Sequence, residues 1–172
     1  MPRSTDRAAN SYIAGMSRAF TREDDFVEDV PDRPVSSHPN FVTEHGLAQI
    51  DRELESAQRT YSQTKALGDR NALARASRDL RYWNARRASA QLVASNPAPN
   101  SVQFGSTVTI KREDGRLQTY RIVGEDEADP SAGSISHVSP LARALLGRAV
   151  GETVSAGKSN AEIIAFRAES DV

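Results

Sequence analysis

The sequence predicts an α+β protein, an antiparallel helical hairpin followed by a small, mainly antiparallel sheet with one short helix. Two observations predict it. Leu47, Ile50, Leu54, Ala57 and Tyr61 recur at spacings of three and four, and Leu73, Ala76, Leu80 and Trp83 repeat them. That is a heptad seam between packed helices. Beyond Pro97 and Pro99 the period changes toward two, with β-branched residues across 102–110 and 119–123.

The elements follow in order. Residues 1–40 hold five Arg and seven acids, four Pro and few large apolar side chains. They read as a flexible acidic tail with too little apolar area to offset its ordering entropy. Within it Met16 offers an alternative start. Thr43 is a helix N-cap, and Gly68-Asp69 ends one arm and caps the next. An arm of about 24 residues is roughly 36 Å long. Two such arms joined by a tight turn pack antiparallel, since neither amphipathic face is stable alone. Ala90 resumes the seam, so the hairpin is expected over 41–96, with the linker of Asn96, Pro97 and Pro99 ending it. Residues 97–172 form the second unit. Its turn signal is Glu113-Asp114-Gly115-Arg116, and its further strands are expected at 135–138, 152–155 and 161–167. Ser139 and Pro140 open a short helix over 140–146.

Composition excludes several classes. The 172 residues contain no Cys, which removes disulfides, thiolate metal sites and Cys nucleophiles. Mean hydropathy is −0.56, and no apolar run approaches the roughly 20 residues of a membrane span. A cytoplasmic location without membrane or small-molecule partners is the expectation. His38, His45 and His137 lack metal-ligand spacing. Gly157-Lys158-Ser159 ends like a phosphate loop, but Glu152 stands where the earlier Gly is required. Glu125-Asp126-Glu127-Ala128-Asp129 reads as a solvated acidic loop, because contiguous carboxylates spread into water and do not converge on a metal.

The net charge of −1 hides a polarised chain. Between residues 70 and 91 lie Arg70, Arg75, Arg78, Arg81, Arg86 and Arg87 against the single acid Asp79. Guanidinium groups in a stripe suit phosphates, so contact with nascent RNA or DNA is one reading; a solubilising helix surface is the other.

Three segments in order, residues 102–108 (VQFGSTV), 120–129 (YRIVGEDEAD) and 139–147 (SPLARALLG), follow a hairpin containing Leu67-Gly68-Asp69-Arg70. In this combination residues 41–172 resemble the bacterial Gre transcript-cleavage factors. The resemblance implies an N-terminal antiparallel coiled coil and a C-terminal domain similar to FK506-binding proteins. It also implies RNA polymerase as partner, with the coiled coil entering the secondary channel. There two tip carboxylates help hold the polymerase's second catalytic Mg²⁺; the factor has no cofactor of its own and is no enzyme. Ser139, Pro140, Leu141, Arg143 and Leu145 match the polymerase-facing helix start, although Val138 stands where some members have an acid.

The tip departs from the family's Asp-x-x-Glu-Asn. Here it reads Asp69-Arg70-Asn71-Ala72-Leu73, with only the first acid kept. Asp69 is therefore either a residual tip acid or simply the N-cap of the second arm. Both arms are also shorter than the usual Gre hairpin by about a heptad or more, roughly 10–15 Å of reach. Short arms and an altered tip resemble the regulator-of-nucleoside-diphosphate-kinase branch, which binds polymerase without efficient cleavage stimulation. Three functions follow from these readings. The first is a polymerase-binding elongation regulator, the second a cleavage-stimulating factor using Asp69. The third is an interaction module outside transcription. Isomerase activity is disfavoured, with only Tyr120, Phe104 and Phe166 to line a proline pocket.

Overall fold

The computed structural model describes residues 30–94, 96, 98–157 and 159–168. Strand β1 (Phe41–Val42) leads through the N-cap Thr43 into α1 (Glu44–Leu67), whose first turn is closed by the Thr43 hydroxyl accepting from the Gly46 amide. Gly68 ends α1 at φ 74°, a left-handed turn open to glycine at little cost, and its amide donates to the Thr64 carbonyl at 3.1 Å. Helix α2 (Arg70–Ser89) runs back along α1. Ile50, Ala57 and Ala76 are buried between them, while Leu47, Leu54, Tyr61, Leu73, Leu80 and Trp83 are half-buried. The seam read from the sequence is the contact. It ends early, however: Ala90 is extended at ψ 128°, and β2 (Gln91–Leu92) pairs in parallel with β1. The second arm thus closes at Ser89, seven residues short of the expected end, because the chain turns there to pair with the segment that entered the hairpin.

The other half is a five-stranded sheet in the order β5-β4-β3-β7-β6, from β3 (Ser106–Arg112), β4 (Leu117–Val123), β5 (Ser134–Ser136), β6 (Thr153–Ser155) and β7 (Asn160–Ala168). Pairing is antiparallel except between β4 and β5, joined by a 3-10 turn at Pro130–Ala132. One sheet face and α3 (Pro140–Leu145) enclose the core of Val102, Val108, Ile110, Ile122, Ile135, Ala142, Leu145, Val154, Ala161 and Ile163. Alternation along β3, with Val108 and Ile110 buried and Thr109 and Lys111 outward, is the period-two signal made physical. Among the described residues no helix is long and apolar enough to cross a membrane.

Residues 1–29, including Met16, lie outside the described residues. From residue 30 the chain is tied to α2 at Asp32, Arg33 and Asn40, with Arg33 half-buried and Asn40 only 3% exposed, while most of residues 31–39 stay exposed. Asp32 on Arg81, Arg33 over the Tyr82 ring and Asn40 on Arg86 and Ser89 hold it there.

Candidate functional site

Three places carry the residues singled out by the sequence: the junction between hairpin and sheet, the hairpin tip, and the start of α3.

The junction is built from the acidic segment after β4, and the solvated-loop expectation is overturned there. Asp126 receives Nε of Arg86 at 2.5 Å and the hydroxyl of Tyr82 at 2.6 Å. Arg86 is 2% exposed, and its Nη2 also donates to the Asn40 side-chain oxygen at 2.7 Å. Glu125 lies 3.8 Å from the same guanidinium. Glu127 accepts from the Thr43 hydroxyl at 2.7 Å, faces His45 Nδ1 at 3.2 Å, and lies 3.8 Å from Arg121. Gln49 donates to the Asp126 carbonyl. These carboxylates converge on the base of the hairpin because Gly124 lets the loop start against β1. A side chain there would put Cβ 2.7 Å from the Phe41 carbonyl oxygen. Burial and the Asp126 carboxylate together push the Tyr82 phenol up to about 12, so it stays a donor throughout the neutral range.

Arg86 therefore leaves the basic stripe: it is an internal cation, since a buried guanidinium is tolerated only when paired. The rest of the stripe is also engaged. Arg87 reaches across to Asp51 on α1 at 2.5 Å, Arg78 bonds Asp79, and Arg81 binds Asp32 and Ser77. Arg70 and Arg75 are exposed and have partners of their own. Periodicity alone missed Arg86, although Tyr82 and Arg86 four residues apart share one helix face beside the apolar seam.

Phe41, Phe104 and His137 complete the junction, with ring centroids 5.4–6.0 Å apart. His137 is 8% exposed. Burial lowers its pKa, opposed by Glu125 and by the carbonyls of Val123 and Pro39 and reinforced by His38. A histidine held neutral in the fold but free to charge when unfolded stabilises fully above its unfolded value near 6.5. That contribution is lost as pH falls below 6.5 toward the folded value. The melting temperature is expected to fall on acidification through this window, and His137→Phe, which keeps the aromatic cluster, is expected to flatten that part of the profile. Equal pH profiles for the two proteins would refute the assignment.

At the tip Asp69 caps α2, its Oδ1 accepting from the Ala72 amide at 2.9 Å. Ala72 adds no carboxylate, and Leu67 is 81% exposed beside it. Among the described residues no group of three or more His, Asp or Glu is placed to hold a metal ion. At α3, Ser139 caps the helix through its hydroxyl to the Ala142 amide at 3.2 Å. Pro140 and Arg143 are exposed and Leu141 is half-buried. Leu145 is 0% exposed, so it belongs to the core and is unavailable to a partner, a correction to its grouping with the surface residues. Its i+4 spacing from Leu141 places it on the inward face of this short helix.

Residues 96–167 match the family described as "Transcription elongation factor, GreA/GreB, C-term". The chain is 34% identical over 134 residues to the transcription elongation factor GreB of Pseudomonas aeruginosa, covering 67% of this chain and 80% of that protein. It is 33% identical over 150 residues to GreA of Methylobacterium sp. strain 4-46, covering 73% of this chain and 95% of that protein. The solved structure of GreA factor homolog 1 from Thermus thermophilus aligns with 21% identity and a TM-score of 0.38, over 76% of this chain and 99% of that one.

Proposed function

The chain belongs to the GreA/GreB family of transcription elongation factors, and we propose that it regulates elongation as an RNA polymerase-binding factor without an effective cleavage tip. In this reading the sheet half with the α3 start holds the polymerase, and the hairpin occupies its secondary channel. The polymerase's own Mg²⁺ site supplies any cleavage chemistry; this chain would contribute only placement and charge.

The tip carries the reading. Recruiting a weakly held second Mg²⁺ takes converging anionic oxygens. The Asp69 carboxylate is engaged with the Ala72 amide, and Ala72 stands where a second acid would be. The next acid on α2, Asp79, sits about 15 Å along the helix and is bound by Arg78. One capped carboxylate leaves the hairpin able to fill a channel but poorly equipped to bind metal in it.

The test uses core RNA polymerase and a backtracked elongation complex. The protein is expected to bind, to leave cleavage at its intrinsic rate, and to compete with an active cleavage factor. Arg143→Glu, on the exposed side of α3, is expected to weaken polymerase binding about tenfold with circular dichroism unchanged. Absence of binding removes the proposal. Stimulated cleavage that Asp69→Ala abolishes replaces it with the reading in which Asp69 alone suffices.

A further inference from the structure

Residues 32–40 touch α2 at three points, and the points come in order. Asn40 donates to the Arg86 carbonyl at 2.8 Å and to the Ser89 hydroxyl at 3.2 Å, at the base of the hairpin. Arg33 lies over the Tyr82 ring, Cζ 3.7 Å from its centroid, and 3.9 Å from Asp79. Asp32 accepts from Nε and Nη2 of Arg81 at 3.0 and 2.5 Å. Followed backward from Asn40, the chain runs from the base of α2 toward the tip, and Pro31 and Pro34 favour an extended course there. Before Asp32 come Glu23, Asp24, Asp25, Glu28 and Asp29, five acids in seven residues with no base among them. Ahead of them on α2 lie Arg78, Arg75 and Arg70. Arg78 and Arg75 stand four and seven residues before Tyr82, so they share the face on which Arg33 rests.

We propose that residues 23–29 are an autoinhibitory segment that lies along these arginines and withholds that side of the hairpin from a partner. Charge, length and direction select this occupant. Between residues 70 and 81, α2 carries four Arg against one acid, Asp79, which Arg78 already holds at 2.8 Å. Glu53 of α1 lines the groove beside Asp79, so repulsion keeps an acidic chain on the outer, arginine side. Arg75 is about 9 Å and Arg70 about 16 Å beyond Arg81 along the helix. Nine extended residues, from Asp32 back to Glu23, span roughly 30 Å and pass both. The contact is built to release. Its visible member, Asp32 with Arg81, is exposed on both sides, 69% and 55%, where water and salt weaken ion pairs. The anchor at Asn40 nevertheless keeps the acids at a high effective concentration beside α2. The consequence rests on the proposed elongation role: a channel that admits a two-helix arm must first strip the acidic strand from it.

The chain contains no Cys, so Val27→Cys gives the full protein a single site for a nitroxide label. At low salt the label is expected to broaden the α2 amides from Arg70 to Arg78 and to leave those of Val108 and Ile163 sharp. Neutralising the segment (Glu23→Gln/Asp24→Asn/Asp25→Asn/Glu28→Gln/Asp29→Asn), or raising salt to about 0.5 M, is expected to remove the broadening. Without the label, the neutralised chain is expected to bind core polymerase about fivefold more tightly than wild type at low salt. In an Arg75→Glu/Arg78→Glu background the same neutralisation is expected to gain nothing. Sharp α2 amides in the labelled protein overturn the proposal. So does a gain that persists in the Arg75→Glu/Arg78→Glu background, since it would report net charge alone. Equal polymerase affinities of wild-type and neutralised chains overturn the autoinhibitory role even where broadening is present. The broadening needs no polymerase, so failure of both chains to bind it sinks the elongation reading and is told apart from failure of the contact.

Discussion

Asp126→Ala is expected to destabilise the protein by about 3–5 kcal/mol, because it leaves the guanidinium of Arg86 buried without its carboxylate partner. The cost arises from the cation that stays behind. Arg86 is 2% exposed, Asn40 neutralises nothing, and Glu125 at 3.8 Å is too far for a hydrogen bond. The Tyr82 hydroxyl loses its acceptor in the same step, which adds to the desolvation penalty. Urea unfolding reads the loss, and thermal melting should show a fall of roughly 10 °C for a chain of this size. Arg86→Met/Asp126→Leu, which removes both charges and keeps apolar bulk, is expected to recover most of it. If Asp126→Ala instead unfolds within about 0.5 kcal/mol of wild type, the pair is acting like a surface ion pair and the junction is held by Phe41, Phe104 and His137.

That junction is where the sequence was least informative, and the reason is physical. The hairpin seam and the sheet core obey periods of three to four and of two, so Ile50, Ala57, Ala76, Val108 and Ile110 announce their burial by spacing alone. Buried charges have no period. Glu125, Asp126 and Glu127 look like any solvated loop until Gly124 brings them against β1, and Arg86 looks like one more member of a basic helix face. Each becomes legible only with its partner 40 or more residues away, as in Arg86 with Asp126 and Thr43 with Glu127. The same holds for residues 30–40, whose lack of apolar residues hid a course set by Arg33 on Tyr82 and Asn40 on Arg86. The α3 start was read at its cap, since Ser139 and Pro140 act locally. Leu145 was misplaced because family resemblance groups residues by sequence, whereas the helix turns that side chain inward.

These partners also explain how a polar junction can orient a long lever. An apolar contact tolerates sliding, whereas Arg86 with Asp126 and Thr43 with Glu127 are directional on two sides of the hairpin base. A small rotation at that base moves a tip roughly 36 Å away by a much larger distance. The acidic segment that reads as a solvated loop in the sequence is thus the part that fixes the hairpin's direction at its base.

Ala72→Glu alone is expected to leave cleavage in a backtracked complex at its intrinsic rate. Ala72→Glu combined with one heptad inserted in each arm is expected to raise it by about a hundredfold. The fold does not oppose the change. Asp69 is the N-cap and Ala72 the third helical residue, so a glutamate there completes a capping pattern and sits favourably in the helix's first turn. Its absence is therefore better understood through function than through stability. Reach is the second requirement: seven residues add about 10 Å, and a carboxylate that far from a metal supplies it no ligand. Single-turnover cleavage of the 3′-end of labelled RNA separates the cases. If the single substitution already accelerates cleavage, hairpin length is not limiting and the arms reach the polymerase's metal as they stand. If the lengthened, glutamate-bearing hairpin binds polymerase yet stays inert, the missing acid is not what silences this tip.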